Sequence, residues 1–304
     1  MKRGRGKGRN IVIGIIIAVI ALVVIVVLFA GKGDFGKNVA LIPVEGTITT
    51  TGGFNFMLQR AASSDEIVSY IEDATKDSKI KAIIFEINSP GGSAVASSEI
   101  AEAIKKARQE KLTIALIREQ GTSGAYWVAS ACDHIIAHPL SFTGSIGVIA
   151  SYLEISGMLE RYNVTYEKLT SGEHKDVMSP FRELTDEERE MILKKLDIIY
   201  EDFVKEVAQN RGMTEEQVRE LADGMFYLGK EAKDLGLVDQ LGTKEEAINY
   251  IEEQLEIKVN IKEYQREIGL FDLLFSMQSQ NSYWFGKGMG ASLIDKNSNL
   301  YVTS

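Results

Sequence analysis

Twenty consecutive residues, Ile11 through Ala30, carry no charge and are drawn from Ile, Val, Leu, Ala and Phe with a single Gly. A helix of that length rises about 1.5 Å per residue and spans about 30 Å, the thickness of a bilayer's hydrocarbon core. A cleaved secretory signal has a shorter apolar region, about 7–15 residues, ending in a small-x-small site. Here the run ends Leu28-Phe29-Ala30, where Leu28 is too bulky for that pattern. Residues 11–30 are therefore expected to remain as a transmembrane helix in contact with membrane lipid. Lys2, Arg3, Arg5, Lys7 and Arg9 precede the run, and only Lys32 and Lys37 closely follow it. By the positive-inside rule, residues 1–10 form a basic cytoplasmic tail, and the body lies on the extracytoplasmic side of a cell membrane.

The rest of the chain is acidic. Through Asn38 seven Lys/Arg face one acid, Asp34, a balance of +6, so of the formal net charge of -9 the remainder carries -15. Such a body repels nucleic acid, and no basic stripe with interleaved aromatics appears in it. Cys132 is the only cysteine, which excludes a disulfide within the chain and reads as a small buried hydrophobe. The three histidines, His134, His138 and His174, form no H-E-x-x-H, and no Cys/His cluster has zinc spacing. Nor is there a glycine-lysine phosphate loop or a G-x-G-x-x-G opening a helix. No cofactor and no metal are expected.

After a glycine-bearing linker, residues 31–38, the body alternates apolar strands with amphipathic helices. Val39 to Val44 and Lys81 to Ile87 read as strands, the second nearly continuous in apolar residues, as in a sheet covered on both faces. Between them Ser63-Ser-Asp-Glu66 offers cap residues before a helix bearing Ile67, Tyr70 and Ile71. Ile100, Ala103, Ile104 and Ala107 recur at helical spacing, Thr113 to Ile117 is the next strand, and a small-residue helix runs from about Ser123 to Cys132. Strand, crossover helix, strand, crossover helix is the βαβ pattern of a parallel α/β sheet. Ile192, Leu196, Ile199, Phe203 and Val207 mark a long amphipathic helix, with shorter ones around residues 214–222, 229–235 and 243–255. The folded body is expected over residues 39–260, with 261–304 a C-terminal tail.

Two glycine-bearing strand-to-helix turns hold the candidate chemistry. Ser123 lies in Gly121-Thr-Ser-Gly-Ala125, where a strand gives way to a helix and exposes a hydroxyl above the sheet. A serine at a helix start is also commonly a simple cap. The other turn is Asn88-Ser-Pro-Gly-Gly-Ser93. Its two glycines permit backbone angles that aim N–H groups at a common point, as an acyl-transfer site requires for its oxyanion. A plain tight turn is the alternative.

Six ordered stretches carry a resemblance: Val44-Glu-Gly-Thr-Ile48, Asn88-Ser-Pro-Gly-Gly92, Thr122-Ser-Gly-Ala-Tyr126, Thr143-Gly-Ser-Ile-Gly-Val148, Ser171-Gly-Glu-His-Lys-Asp176 and Lys230-Glu-Ala-Lys-Asp-Leu-Gly-Leu-Val-Asp239. From about Val39 through Glu256 the chain resembles the signal peptide peptidase A proteases, which are related in fold to the Clp protease subunit and to crotonases. Its length looks like the short, single-domain, anchored form. The resemblance implies a crotonase/Clp-protease-like α/β fold and a serine endopeptidase with a Ser–Lys dyad. Ser123 would be the nucleophile and Lys175 the general base. Gly92 and Gly124 would give the oxyanion N–H donors, and Ser145 a supporting hydroxyl for the lysine amine. Thr122 and Ala125 depart from the family's usual Ala-Ser-Gly-Gly-Tyr.

The chemistry is coherent, because a lysine freed of its proton by burial can accept a serine proton without any histidine. His174 beside Asp176 suggests a Ser–His–Asp rival, but in an extended segment neighbours 174 and 175 point to opposite sides. The implied substrates are peptides, chiefly signal peptides left in the membrane. The implied assembly is a ring-shaped homo-oligomer with each site shared between protomers. A crotonase-like acyl-CoA enzyme and a non-catalytic membrane adaptor are the other readings open to this fold.

Overall fold

A computed structural model describes residues 36–52 and 61–264. The apolar run 11–30 lies outside them, and among the described residues no helix is long and apolar enough to cross a membrane.

The continuous apolar segments become neighbours in one sheet. Numbered along the chain, β1 (Val39–Glu45), β4 (Ala82–Ser89), β5 (Leu112–Thr122) and β6 (His134–Ala137) lie side by side and parallel. At the margins β9 (Gln240–Leu241) pairs with β6 and β10 (Ile261–Glu263) with β1. β10 carries the sheet past residue 260. Ile257, Val259 and Ile261 pack at alternate positions against the cluster beneath β1, and that period of two carries the chain into the sheet.

Each core strand is apolar at successive positions because both sheet faces are covered. Ala40, Ile42 and Val44 of β1, with Ile83, Phe85 and Ile87 of β4, face one cluster. It is closed by α1 (Ser64–Lys76), α2 (Ala94–Ala107), α3 (Gly124–Ser130) and the end of α5 (Asp186–Arg211). Val39, Leu41, Ala82, Ile84, Ile114 and Leu116 face the opposite way, onto Ala247 and Ile251 of α8 (Lys244–Leu255). The cap expected before Ile67 forms, with the Ser63 hydroxyl accepting from the Glu66 N–H.

At the strands' carboxyl ends smaller pieces shape the site. β2 (Ile48–Thr49) pairs with β3 (Ala62–Ser63). β7 (Phe142–Gly144) runs parallel to the end of β5 and antiparallel to β8 (Phe226–Leu228). Two short helices, α6 (Glu215–Leu221) and α7 (Gly229–Asp234), flank β8.

The long helix buries the face that its sequence pattern marks and leaves two further apolar side chains open. Phe203, Val204, Val207 and Ala208 are buried, whereas Leu193 and Ile198 nearer its start are 50% and 64% exposed. Both lie off the stripe of Ile192, Leu196 and Ile199, whose members are half-buried. The segment leading into it, beyond Ser145, contains one short helix, α4 (Ser156–Arg161), and leaves Ile149 89% and Leu169 90% exposed.

Candidate active site

Ser123 sits where β5 meets α3, with φ 54° and ψ -127°. A positive φ is disfavoured for any residue with a Cβ, and it persists only where the surroundings enforce it. Here three backbone bonds do so. The Ser123 N–H donates to the Gly144 carbonyl at 2.8 Å, and the Ser123 carbonyl accepts from the N–H groups of Tyr126 and Trp127 at 2.8 and 3.0 Å. The helix that follows is anchored in turn. The buried Tyr126 hydroxyl donates to the Leu237 carbonyl at 2.8 Å, and Trp127 stacks on Phe203 with ring centres 4.8 Å apart. The Ser123 side chain makes no capping bond, so the alternative reading of Ser123 as a helix cap does not describe it.

The Asn88–Ser93 turn packs directly on this serine. Gly91 has φ +93°, and a Cβ there would fall 2.7 Å from the Gly124 nitrogen and 2.9 Å from the Ser123 Cβ. On Gly92 a Cβ would fall 2.1 Å from the Ile48 carbonyl oxygen. The Ile48 N–H donates to the Gly91 carbonyl, and the Ser93 N–H to the Ile48 carbonyl, in the pattern of a parallel bridge. Backbone groups of alternate residues point opposite ways along such a bridge, so the intervening Gly92 N–H faces away from β2. Gly124 closes the arrangement: a Cβ on it would fall 3.4 Å from the Gly92 nitrogen. The structure therefore brings Ser123, Gly91, Gly92 and Gly124 into one small volume, through backbone contacts that only glycine permits.

Ser145 borders the same turn, one residue beyond the Gly144 carbonyl that holds Ser123. Its N–H donates to the Met225 carbonyl at 3.1 Å, and its hydroxyl donates to the Gly224 carbonyl at 2.8 Å. The hydroxyl proton is thus committed to Gly224, while its lone pairs remain able to accept from an amine.

Lys175 stands apart. Its side chain is exposed, its Nζ takes no ion pair or hydrogen bond among the described residues, and no bond joins it to Ser123 or Ser145. The burial expected of a lysine base is not supplied by the described residues, which leave Leu169 and Ile149 in the same segment uncovered as well.

The neighbouring residue is held firmly. Asp176 accepts from Lys168 Nζ at 2.6 Å, from Arg182 Nε at 2.8 Å and from an Arg182 terminal nitrogen at 3.0 Å. Arg182 also donates to both carboxylate oxygens of Glu188, at 2.8 and 2.5 Å, and Glu188 forms a capping box with Thr185 at the start of α5. Hydrogen bonds from Arg182, then from Lys168, hold the Asp176 carboxyl well below the usual carboxylate range. The Arg182 bond, followed by the Thr185 N–H, lowers Glu188 to about 2.

Asp176 is engaged by Lys168 and Arg182 rather than by His174, and among the described residues a Ser–His–Asp site gains no support. The clamp was invisible in the sequence, where 168, 176, 182 and 188 are four charges in a polar stretch. Among the described residues no group of three His, Cys, Asp or Glu side chains is gathered as a metal ion would require.

Residues 105–258 match the model of peptidase family S49. A Methanocaldococcus jannaschii protein named as a protease is 34% identical over 229 residues, covering 74% of this chain and 72% of that one. An Enterococcus faecium protein named as a signal peptide peptidase is 33% identical over 238 residues, covering 78% of this chain and 69% of its own length. Protease 4 of Salmonella typhi is 31% identical over 247 residues, 79% of this chain but 38% of that longer protein.

Proposed function

The chain belongs to peptidase family S49 and is a serine peptidase; from that premise we propose that it is a membrane-anchored endopeptidase in which Ser123 attacks the peptide carbonyl and Lys175 takes its proton. The observation that carries the reading is the Ser123 turn itself: a strained residue whose hydroxyl makes no capping bond, packed against a glycine pair of which Gly92 turns its N–H away from β2. Strain of this kind collects where function requires it. The Gly92 and Gly124 N–H groups receive the oxyanion of the tetrahedral intermediate. Ser145 accepts a hydrogen bond from the lysine amine and orients it.

A lysine works as a base only where its ammonium is disfavoured by burial. The described residues leave Lys175 exposed, and a second copy of the chain supplies the cover in this reading. The uncovered apolar side chains on the same segment, Ile149, Leu153 and Leu169, and the open start of α5 support a contact between identical subunits there. A closed ring in which each site takes Ser123 from one protomer and Lys175 from its neighbour satisfies both requirements. The apolar run 11–30 supports a single membrane anchor, with the basic tail in the cytoplasm and the peptidase body outside. Substrates are apolar peptides at the membrane, signal peptides foremost. That choice is supported by the name of the Enterococcus faecium relative. No feature of the described site favours an acyl-CoA enzyme or a non-catalytic adaptor.

The test is active-site labelling of the full chain in detergent with a fluorophosphonate, followed by peptide mapping. One adduct on Ser123, absent from Ser123→Ala, is expected. Equal labelling of Ser123→Ala would remove the assignment.

A further inference from the structure

Ser97 belongs to no motif considered so far. It lies one turn into α2, where its N–H donates to the carbonyl of the cap residue Ser93 at 3.0 Å. The residue is fully buried, and its hydroxyl oxygen has no hydrogen-bond partner. A serine inside a helix ordinarily turns its hydroxyl back to the carbonyl four residues earlier. This one is turned onto Gly124. A Cβ on Gly124 would fall 2.3 Å from the Ser97 Oγ, 3.2 Å from the Ser97 Cβ and 3.4 Å from the Gly92 nitrogen. The Ser97 oxygen and the Gly92 nitrogen thus wall the same niche beside Gly124.

We propose that Ser97 is a positioning residue for the oxyanion hole: its side-chain oxygen is a spacer that holds the Gly124 N–H at its working separation from the Gly92 N–H. The proposal rests on the reading of those two N–H groups as the hole. A buried hydroxyl without a partner lowers stability, and alanine would remove that fault at no cost to the helix. Its presence is accounted for by the contact it makes. Without Oγ, Gly124 can settle toward α2 and carry its N–H out of line. Donors to an oxyanion act within a narrow range of distance, so the loss falls on the transition state rather than on substrate binding.

The experiment compares Ser97→Ala and Ser97→Cys with the wild-type full chain in detergent. Cysteine restores an atom of similar reach while offering a much weaker donor. Ser97→Ala is expected to melt at or above the wild-type temperature and to titrate fully with a fluorophosphonate. Its kcat should fall about tenfold at unchanged KM, a fraction of the effect of deleting a donor. It should also bind a peptide aldehyde, whose adduct places an oxyanion in the hole, about tenfold more weakly. Ser97→Cys should recover most of kcat.

Unchanged kcat and aldehyde affinity in Ser97→Ala would overturn the proposal. A fall in kcat matched by a fall in titratable sites would make Ser97 merely structural. Failure of Ser97→Cys to recover would mean the hydroxyl acts as a hydrogen-bonding group, not a spacer. A wild-type enzyme that neither titrates nor binds the aldehyde would instead sink the underlying reading of the hole.

Discussion

Gly91 packs against Ser123 so closely that a Cβ on Gly91, whose φ is +93°, would stand 2.9 Å from the Cβ of Ser123. The contact ties the Asn88–Ser93 turn to the Ser123 turn, so Gly91→Ala carries two faults. Its backbone angle costs about 1–2 kcal/mol in a residue with a Cβ, and the added methyl pushes the two turns apart. Peptide hydrolysis should fall about 100-fold or more, as it does when an oxyanion donor is lost. Steady-state kinetics and a thermal melt check both effects. A Gly91→Ala protein with wild-type turnover would show that the two turns do not form one site.

Ser123 itself gives an asymmetric expectation. Its φ of 54° is strained for serine and free for glycine, and no capping bond is lost on replacement. Ser123→Gly should therefore melt above wild type, by up to about 1 kcal/mol less the added freedom of the unfolded chain, while hydrolysis falls by several orders of magnitude. A Ser123→Gly protein that melts well below wild type would mean that the side chain makes a structural contribution.

The Lys168–Asp176–Arg182–Glu188 clamp carries a pH dependence. Glu188 lies at about 2 in the fold against 4.5 for the free group, and Asp176 is lowered in the same sense. Such carboxyls bind fewer protons folded than unfolded. Their contribution is present above the unfolded value and is lost as pH falls from about 4.5 toward 2. Hydrogen exchange over residues 168–188, corrected for intrinsic rates, should show protection at pH 6 that weakens at pH 3. In Arg182→Ala that protection should be missing at both. Wild-type protection in Arg182→Ala would show that the clamp does not order this segment.

The sheet was legible because its strands are short continuous apolar runs separated by amphipathic crossovers, as Lys81 to Ile87 and Thr113 to Ile117 illustrate. β10 was not legible as a strand, since Ile261–Glu263 is only three residues long and depends on β1 for its pairing. The Ser123 turn was readable as a place where a strand meets a helix. Its positive φ and missing cap bond arise from contacts with Gly144 and Gly91, which are distant in sequence. Lys175 is proposed as the base on its motif, whereas its exposure depends on which surfaces are covered, and a linear pattern does not encode that. Ser97 gave no signal at all, because a serine on a helix face reads the same whether or not its hydroxyl finds a partner.

The claim that most needs testing is that a working site takes Ser123 and Lys175 from different copies of the chain. Full-length Ser123→Ala and Lys175→Ala proteins, each inactive alone, are unfolded, mixed and refolded in detergent, and peptide hydrolysis is measured on oligomers whose mass shows both chains. Junctions that join an intact Ser123 to an intact Lys175 should restore activity, although neither variant refolded alone recovers any. Mixed oligomers that stay inactive would contradict the shared site and place both residues within one chain.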